Sequence, residues 1–254
     1  MPAVPGRLPA SLTDSSVVAI VPARYHSSRL PGKPLADIGG RPMVEHVYRR
    51  ASLARVDAVI VATDDDRIVH AVEGFGGLAC LTRADHRSGT DRLAELVADL
   101  PCAIAVNVQG DEPMVDPAAI DALVAPFHAD PATQMTTLCR PLAADEDVTS
   151  PHLVKVVRDR QGHALYFSRA PIPFRRDGDG AAPAVHVGLY AYRRDTLLRL
   201  AALPPTPLER SESLEQLRAL EHGIPIRVLE TAYVSVAVDT PEDLERARRT
   251  VSTP

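Results

Sequence analysis

The chain has 254 residues, 45 % of them hydrophobic and 24 % charged, the balance of a soluble globular protein long enough for one substantial core. Its formal net charge of −5 excludes capture of nucleic acid by overall charge, so an anionic ligand must be met by a local cluster of cations. Cys80, Cys102 and Cys139 are widely spaced in apolar runs and form no CxxC pair, which reads as buried reduced thiols of a cytoplasmic protein. No apolar run approaches the ~20 residues of a membrane span.

Residues 1–16 lack a basic segment followed by an apolar stretch and read as a disordered tail rather than a signal peptide. Residues 17–254 read as one domain. Apolar strands are predicted at 17–21, 58–62, 78–82 and 103–108, with helices at 42–52, 65–75 and 90–100 between them. In the last helix Leu93, Leu96, Val97 and Leu100 form one stripe at the helical period. Strands alternating with helices predict an α/β fold with a doubly wound, mostly parallel sheet. From residue 134 the pattern changes. Strands at 134–139, 154–159, 164–168 and 186–193 carry less helix between them and predict a smaller mixed-sheet subregion. Residues 175–183 read as a loop rich in Gly, Pro and charge. A helix at 211–222, a strand at 226–230 and a helix at 241–251 follow.

The stretch after the first strand carries the most chemistry. Arg24, Arg29 and Lys33 stand on a loop stiffened by Pro22, Pro31, Gly32 and Pro34, and no acidic residue intervenes before Asp37. Open α/β sheets bind ligands at the carboxyl ends of their strands. Arginines and turn N–H groups there suit a polyphosphate. The loop is not a Walker motif, because Ser27 stands where its first Gly belongs and Pro34 where its Ser or Thr belongs. Asp111 follows the strand at 103–108 through Gln109 and Gly110. Its carboxylate reads either as a Mg²⁺ ligand or as an ordinary turn residue. Asp239 closes the strand-like run 234–238, with Thr240 placed to cap a helix that begins at Pro241. Ser88, Gly89, Thr90 and Asp91 fit a helix start. Asp64, Asp65 and Asp66 could suggest a metal motif, but read better as the cap of the helix that follows.

The stretch PARYHSSRLPGKPL resembles the nucleotide-binding loop of the CMP-Kdo synthetases, the 3-deoxy-manno-octulosonate cytidylyltransferases, which are relatives of the CMP-sialate synthetases. TRADHRSGTDRLAE (82–95), NVQGDEPM (107–114), ALYFSRAPIP (164–173), HVGLYAYR (186–193), LEQLRALEHG (214–223) and VDTPEDLERAR (238–248) are similar to the same family, in its order. The likeness runs from about residue 17 to the end. It implies a Rossmann-like nucleotide-diphospho-sugar transferase fold and a cytoplasmic homodimer. It also implies transfer of CMP from CTP to Kdo, with release of pyrophosphate, for lipopolysaccharide biosynthesis. Arg24, Lys33, Asp111 and Asp239 are the catalytic set so implied, with Asp111 and Asp239 holding Mg²⁺. Pro22, Ala23, Arg24, Arg29, Lys33, Arg83, Ser88, Gly89, Asp91 and Gln109 would bind the nucleotide. Gln109, Tyr166, Arg169, His186, Tyr190, Glu215 and Gln216 would bind the acid sugar, with Arg169 on its carboxylate. Nucleic acid and membrane are not expected partners. Ala237 stands where the family often has Gly, and Val185, Arg210 and Ser211 also depart from its pattern. The departures in the sugar pocket leave open a related acid sugar, such as 8-amino-Kdo or a sialic acid. A catalytically inactive nucleotide-binding homologue is a separate alternative, against which the presence of Lys33, Asp111 and Asp239 argues.

Overall fold

A computed structural model of the protein describes residues 11–27, 29–86, 88–176 and 180–251. In chain order it forms β1 (Val17–Ala23), a 3-10 turn (Lys33–Leu35), β2 (Asp37–Ile38), β3 (Arg41–Pro42), α1 (Met43–Ala51), β4 (Ala58–Thr63) and α2 (Asp66–Gly74). Then come β5 (Ala79–Leu81), α3 (Gly89–Ala98), β6 (Ile104–Asn107), α4 (Pro117–Ala129), β7 (Met135–Pro141), β8 (Lys155–Arg158) and β9 (Ala164–Ser168). The chain continues through β10 (Ala184–Arg193), α5 (Arg194–Ala202), α6 (Pro207–Glu212), α7 (Gln216–Glu221), β11 (Ile226–Glu230) and α8 (Pro241–Val251). Two compact units result: one runs up to Asp121 and resumes at Ser235, the other is Ala122–Val234. Among the described residues no helix is long and apolar enough to cross a membrane.

In the first unit β1 pairs in parallel with β4 on one side and with β6 on the other, and β4 pairs in parallel with β5. Every residue of β4 and β6 is buried, and all but Pro22 of β1. Such continuous apolar strands belong to a sheet covered on both faces. The chain winds outward from β1 through β4 to β5, then returns to β6 on the other flank of β1. That reversal opens a crevice at the carboxyl ends of β1 and β6, where ligands of such sheets bind. The cationic loop leaves β1 there, and Gln109–Asp111 follow β6.

A second small core fixes that loop. Ile38, Met43, Val238, Leu244 and Ala247 are buried together, with Leu30 and Ala36 packed against them. Loop residues and the amino-terminal end of α8 therefore share one apolar contact. Thr240 accepts from Asp243 N at 3.2 Å and Asp243 accepts from Thr240 N at 2.9 Å, a reciprocal cap that starts α8 as its sequence suggests. Residues 235–238 form no ladder strand, in contrast to the strand-like run expected there. Their backbone is instead pinned by Val238 N donating to Asp111 O at 2.9 Å. Of the expected tail, residues 1–10 lie outside the described residues. Leu12 and Ser16 are buried, and Ser16 O accepts from Ala103 N at 2.8 Å.

The second unit holds the mixed subregion. β7 runs antiparallel to β10 and parallel to β11, while β8 pairs antiparallel with β10 and β9. The single helix expected at 211–222 is two helices. Pro207 at the first turn, capped by Thr206 and Glu209, starts α6 earlier, and Ser213 with φ of 50° ends it. Arg218 of α7 reaches back to Glu209 with bonds of 2.9 and 2.6 Å. The sequence reading also passed over α4, α5 and the β2–β3 hairpin, and residues 177–179 of the expected loop lie outside the described residues.

Gly110 is where β6's exit loop approaches β1 most closely. A Cβ there would overlap Pro22 O, with Val21 Cγ1 3.6 Å away. Gly110→Ala is expected to lower the unfolding free energy by about 1–3 kcal/mol, measured by urea denaturation, because backbone must shift to admit the methyl group. Gly74→Ala, in α2 with open space around it, is the matched control and should be neutral or slightly stabilising. Equal effects of the two changes would contradict the close approach.

Candidate active site

The crevice of the first unit is a cleft of about 360 Å³ lined by Pro22, Ala23, Arg24, Arg29, Lys33 and Pro34 from the first loop, and by Gln109, Gly110 and Asp111 from the loop after β6. Gly89 at the start of α3 completes the wall, and His26 and Ser27 line it as well. The loop is held in shape from within. Gly32 adopts φ of 69°, and its N–H donates to Tyr25 O at 3.1 Å. The Arg67 guanidinium lies 3.3 Å from the centre of the Tyr25 ring, a cation–π contact that braces the loop from α2. Asp65 caps α2, accepting from Arg67 N at 2.9 Å, so the acidic cluster does the capping its sequence suggested.

Lys33 is the centre of the site. Its Nζ donates to Asp111 Oδ2 at 2.8 Å and to Asp239 Oδ1 at 3.0 Å. Arg29 Nη2 stands 3.1 Å from the other oxygen of Asp239. Burial by itself would pull the Lys33 ammonium down, but the charges and hydrogen bonds of Asp111 and Asp239 outweigh it and hold its pKa above the ordinary lysine value. Lys33 is thus a fixed cation. Arg24 Nη2 is buried and has no hydrogen-bond partner among the described residues. Arg24 lines the cleft, and a buried guanidinium N–H without an acceptor is costly, so this residue suits an anionic oxygen brought to it.

Three other expected nucleotide residues are committed elsewhere. Ser88 and Asp91 cap α3 reciprocally, each bond 3.1 Å, and Arg83 pairs with Asp85 on the surface. Their segment reaches the cleft through Gly89, not through these side chains. Sequence reasoning passed over His26, Ser27 and Gly110, although all three lie within motifs it had singled out.

The expected sugar residues lie in the second unit. β10 bulges between Val187 and Tyr190, which sets His186 and Tyr190 with ring centres 5.4 Å apart. Phe167 meets His186 edge-on at 5.0 Å. Thr137 Oγ1 lies 2.8 Å from Leu189 O and 2.9 Å from His186 Nε2. The hydroxyl has one proton, and Leu189 O can only accept. His186 therefore donates from Nε2 and keeps Nδ1 as an acceptor. Burial lowers the His186 pKa to about 3, so the ring is neutral. Burial, with smaller contributions from Tyr192 and Glu215, raises the Tyr190 phenol well above its usual value.

Arg169 donates through Nε to Glu212 O at 2.7 Å, through Nη1 to Pro151 O at 2.8 Å and through Nη2 to Ser213 O at 3.2 Å. Three of its five side-chain N–H groups thus organise backbone. Glu212 also accepts from Ser168 Oγ at 2.6 Å and from Tyr166 at 3.4 Å. Gln216 is buried in α7, and Glu215 precedes it at the helix start.

Residues 18–229 match the cytidylyltransferase family model. A Syntrophotalea carbinolica protein named 3-deoxy-manno-octulosonate cytidylyltransferase is 56 % identical over 241 residues, covering 91 % of this chain and 96 % of that protein. A Geobacter sulfurreducens protein of the same name is 54 % identical, covering 91 % and 97 %. A solved structure of CMP:2-keto-3-deoxy-manno-octonic acid synthetase complexed with CTP superposes with a TM-score of 0.91 at 49 % identity, covering 94 % of this chain and 99 % of that one. A thymidylyltransferase structure from Bacillus anthracis, described as putative, superposes with a TM-score of 0.67 at 16 % identity, a likeness of fold alone.

The neutral state of His186 has a consequence for stability. Its pKa is about 3 in the native protein and about 6.5 in an unfolded chain. Below the higher value the unfolded chain binds a proton that the native ring refuses, so stability falls as pH drops from about 6.5 toward 3. His186→Gln should lose part of that decline, read as a smaller shift in urea midpoint between pH 7 and about pH 4.5 than in the parent. An equal shift in both proteins would contradict the buried neutral ring.

Proposed function

The chain belongs to the cytidylyltransferase family, and from that premise we propose that it is a 3-deoxy-manno-octulosonate cytidylyltransferase, converting CTP and Kdo into CMP-Kdo and pyrophosphate. The observation that carries the reading is the cleft in which Arg24, Arg29 and Lys33 gather beside Asp111 and Asp239. In this reaction the anomeric hydroxyl of the sugar attacks the α-phosphorus of CTP. A new oxygen–phosphorus bond forms, the bond to the β-phosphate oxygen breaks, and the hydroxyl proton is released. Arg24, Arg29 and Lys33 orient the triphosphate and offset the charge that grows on the leaving pyrophosphate. Transfer at phosphorus runs largely on such positioning and electrostatics, so the lack of a single evident general base is no obstacle.

Asp111 and Asp239 fit magnesium, because two carboxylates plus phosphate oxygens and water make a shell that ion accepts. No group of three or more candidate ligand side chains is gathered among the described residues, so the nucleotide's oxygens would complete it. Magnesium, when bound, would supply positive charge to the phosphates and lower the pKa of the attacking hydroxyl. Gln109 and the backbone at Gly89 are the cleft's groups for the cytosine and ribose. The acid sugar is assigned to Tyr166, Arg169, His186, Tyr190, Glu215 and Gln216, the last four offering mixed donors and acceptors for hydroxyls, and Arg169 its remaining N–H groups for the carboxylate. The same reading places the enzyme in the cytoplasm as a homodimer, supplying lipopolysaccharide assembly. It is supported by the family likeness and, for the compartment, by three buried cysteines that form no disulfide.

The test is pyrophosphate release with magnesium and Kdo, with CTP and UTP compared. Cytosine and uracil differ by a donor against an acceptor at one ring position, and a polar pocket built for one leaves the other unpaired. A preference for CTP of about 100-fold or more is expected. Equal rates with the two nucleotides, or release that does not require Kdo, would contradict the assignment.

A further inference from the structure

The carboxyl ends of three adjacent strands form one row. Ala23 of β1 is in register with Thr63 of β4, and Thr63 with Leu81 of β5. One residue further along each strand come Arg24, Asp64 and Thr82. On neighbouring parallel strands, a guanidinium and a carboxylate one step past a paired position are natural partners.

The structure pairs Asp64 differently. Its Oδ2 accepts from Arg92 Nη2 at 3.1 Å, and Arg92 Nη1 donates to Thr82 Oγ1. Arg92 enters from α3 and its side chain is fully buried. Burial depresses the Arg92 pKa; Asp64 raises it and the like charge of Arg24 lowers it further. Glu95 also faces Arg92 electrostatically, but its carboxylate is engaged by Arg83 N at 2.9 Å and by His86 Nε2. The buried Arg92 guanidinium, bonded to the Asp64 carboxylate, and that of Arg24, of which Nη2 is buried, thus act on one another as like charges. Arg92 holds that carboxylate, and Arg24 lines the cleft with its buried Nη2 unpartnered among the described residues.

We propose that Arg92 is a positioning residue of the nucleotide site: it occupies Asp64, the carboxylate that would otherwise neutralise Arg24, and so keeps the Arg24 guanidinium available to phosphate. The inference rests on the reading of the cleft as a CTP site. A buried carboxylate stripped of its partner is costly and takes the next cation within reach. Without Arg92 that cation is Arg24. Loss of Arg92 therefore damages phosphate binding through Asp64, and neutralising Asp64 in the same chain should release Arg24 again. Removing both members of a buried pair also relieves the fold of an unpaired charge, so a purely structural role predicts that CTP affinity simply tracks thermal stability across the four proteins. Release of Arg24 predicts instead a recovery of affinity in the double variant beyond its recovery of stability.

The experiment is calorimetric titration of magnesium–CTP into the full-length parent, Arg92→Met, Asp64→Asn and the double variant, with thermal unfolding of each. Arg92→Met should weaken CTP binding by about tenfold or more, the scale of one charge-assisted contact. The double variant should recover to within about threefold of the parent. If Arg92→Met does not fold, Arg92→Gln, which can still bond Thr82, replaces it in both single and double forms. A double variant as weak as the Arg92 single variant, or a single variant that binds like the parent, overturns the proposal while leaving the CTP site in place. A parent that binds no CTP overturns both.

Discussion

The site depends on one ammonium group held between two carboxylates. Lys33 meets Asp111 across 78 residues of sequence and Asp239 across 206. Three separate segments must be in place for that to happen. The loop after β1 must be pinned, the exit of β6 must come close to β1, and the chain must return after the whole second unit to deliver Asp239. Each requirement has a visible cause. The apolar group around Ile38, Met43 and Val238 pins the loop and the start of α8 together. Gly110 lets backbone approach Pro22. Val238 N on Asp111 O joins the two carboxylate-bearing segments directly.

The arrangement keeps opposite charges in balance until a ligand arrives. Lys33 and Arg29 are both engaged by aspartates, so a cleft rich in cations is close to neutral overall. A magnesium–nucleotide complex brings its own pair of charges. The metal suits the aspartates and the phosphates suit the cations, so the internal ion pairs exchange for external ones. Metal and nucleotide should then bind with strong mutual dependence, since neither alone can replace what the protein gives up. Arg24 stands apart from this exchange. Among the described residues it has no aspartate of its own to leave, and the Arg92–Asp64 pair keeps it so.

Much of this was legible in the sequence because the relevant signals were local. The apolar runs of β1, β4 and β6, the alternation of strand and helix, and the caps of α2 and α8 each follow from a few neighbouring residues. The cationic loop and Asp111 could be placed at strand ends for the same reason. What depends on contacts distant in sequence was not legible. That Lys33 would bond both aspartates, rather than wait free for phosphate, follows only from the packing of α8 against the loop. That Ser88 and Asp91 cap α3 instead of facing the cleft was one of two readings their spacing allowed. The division of 211–222 into α6 and α7 turns on the left-handed backbone of Ser213, a conformation that a serine does not announce. Arg92 read as one more polar residue on an amphipathic helix, and its burial against Asp64 and Thr82 emerges only when β4, β5 and α3 are assembled.

The exchange of internal for external charge is tested most directly by titrating magnesium, without nucleotide, into the parent and into Lys33→Ala, followed by calorimetry. In the parent, Lys33 already neutralises the aspartates, so magnesium should bind weakly, with a dissociation constant of about 1 mM or higher. Removing the ammonium leaves two adjacent carboxylates unopposed by it, so Lys33→Ala should bind magnesium more tightly than the parent, by roughly tenfold. Tight binding of magnesium to the nucleotide-free parent, unchanged or weakened in Lys33→Ala, would contradict the role assigned to Lys33.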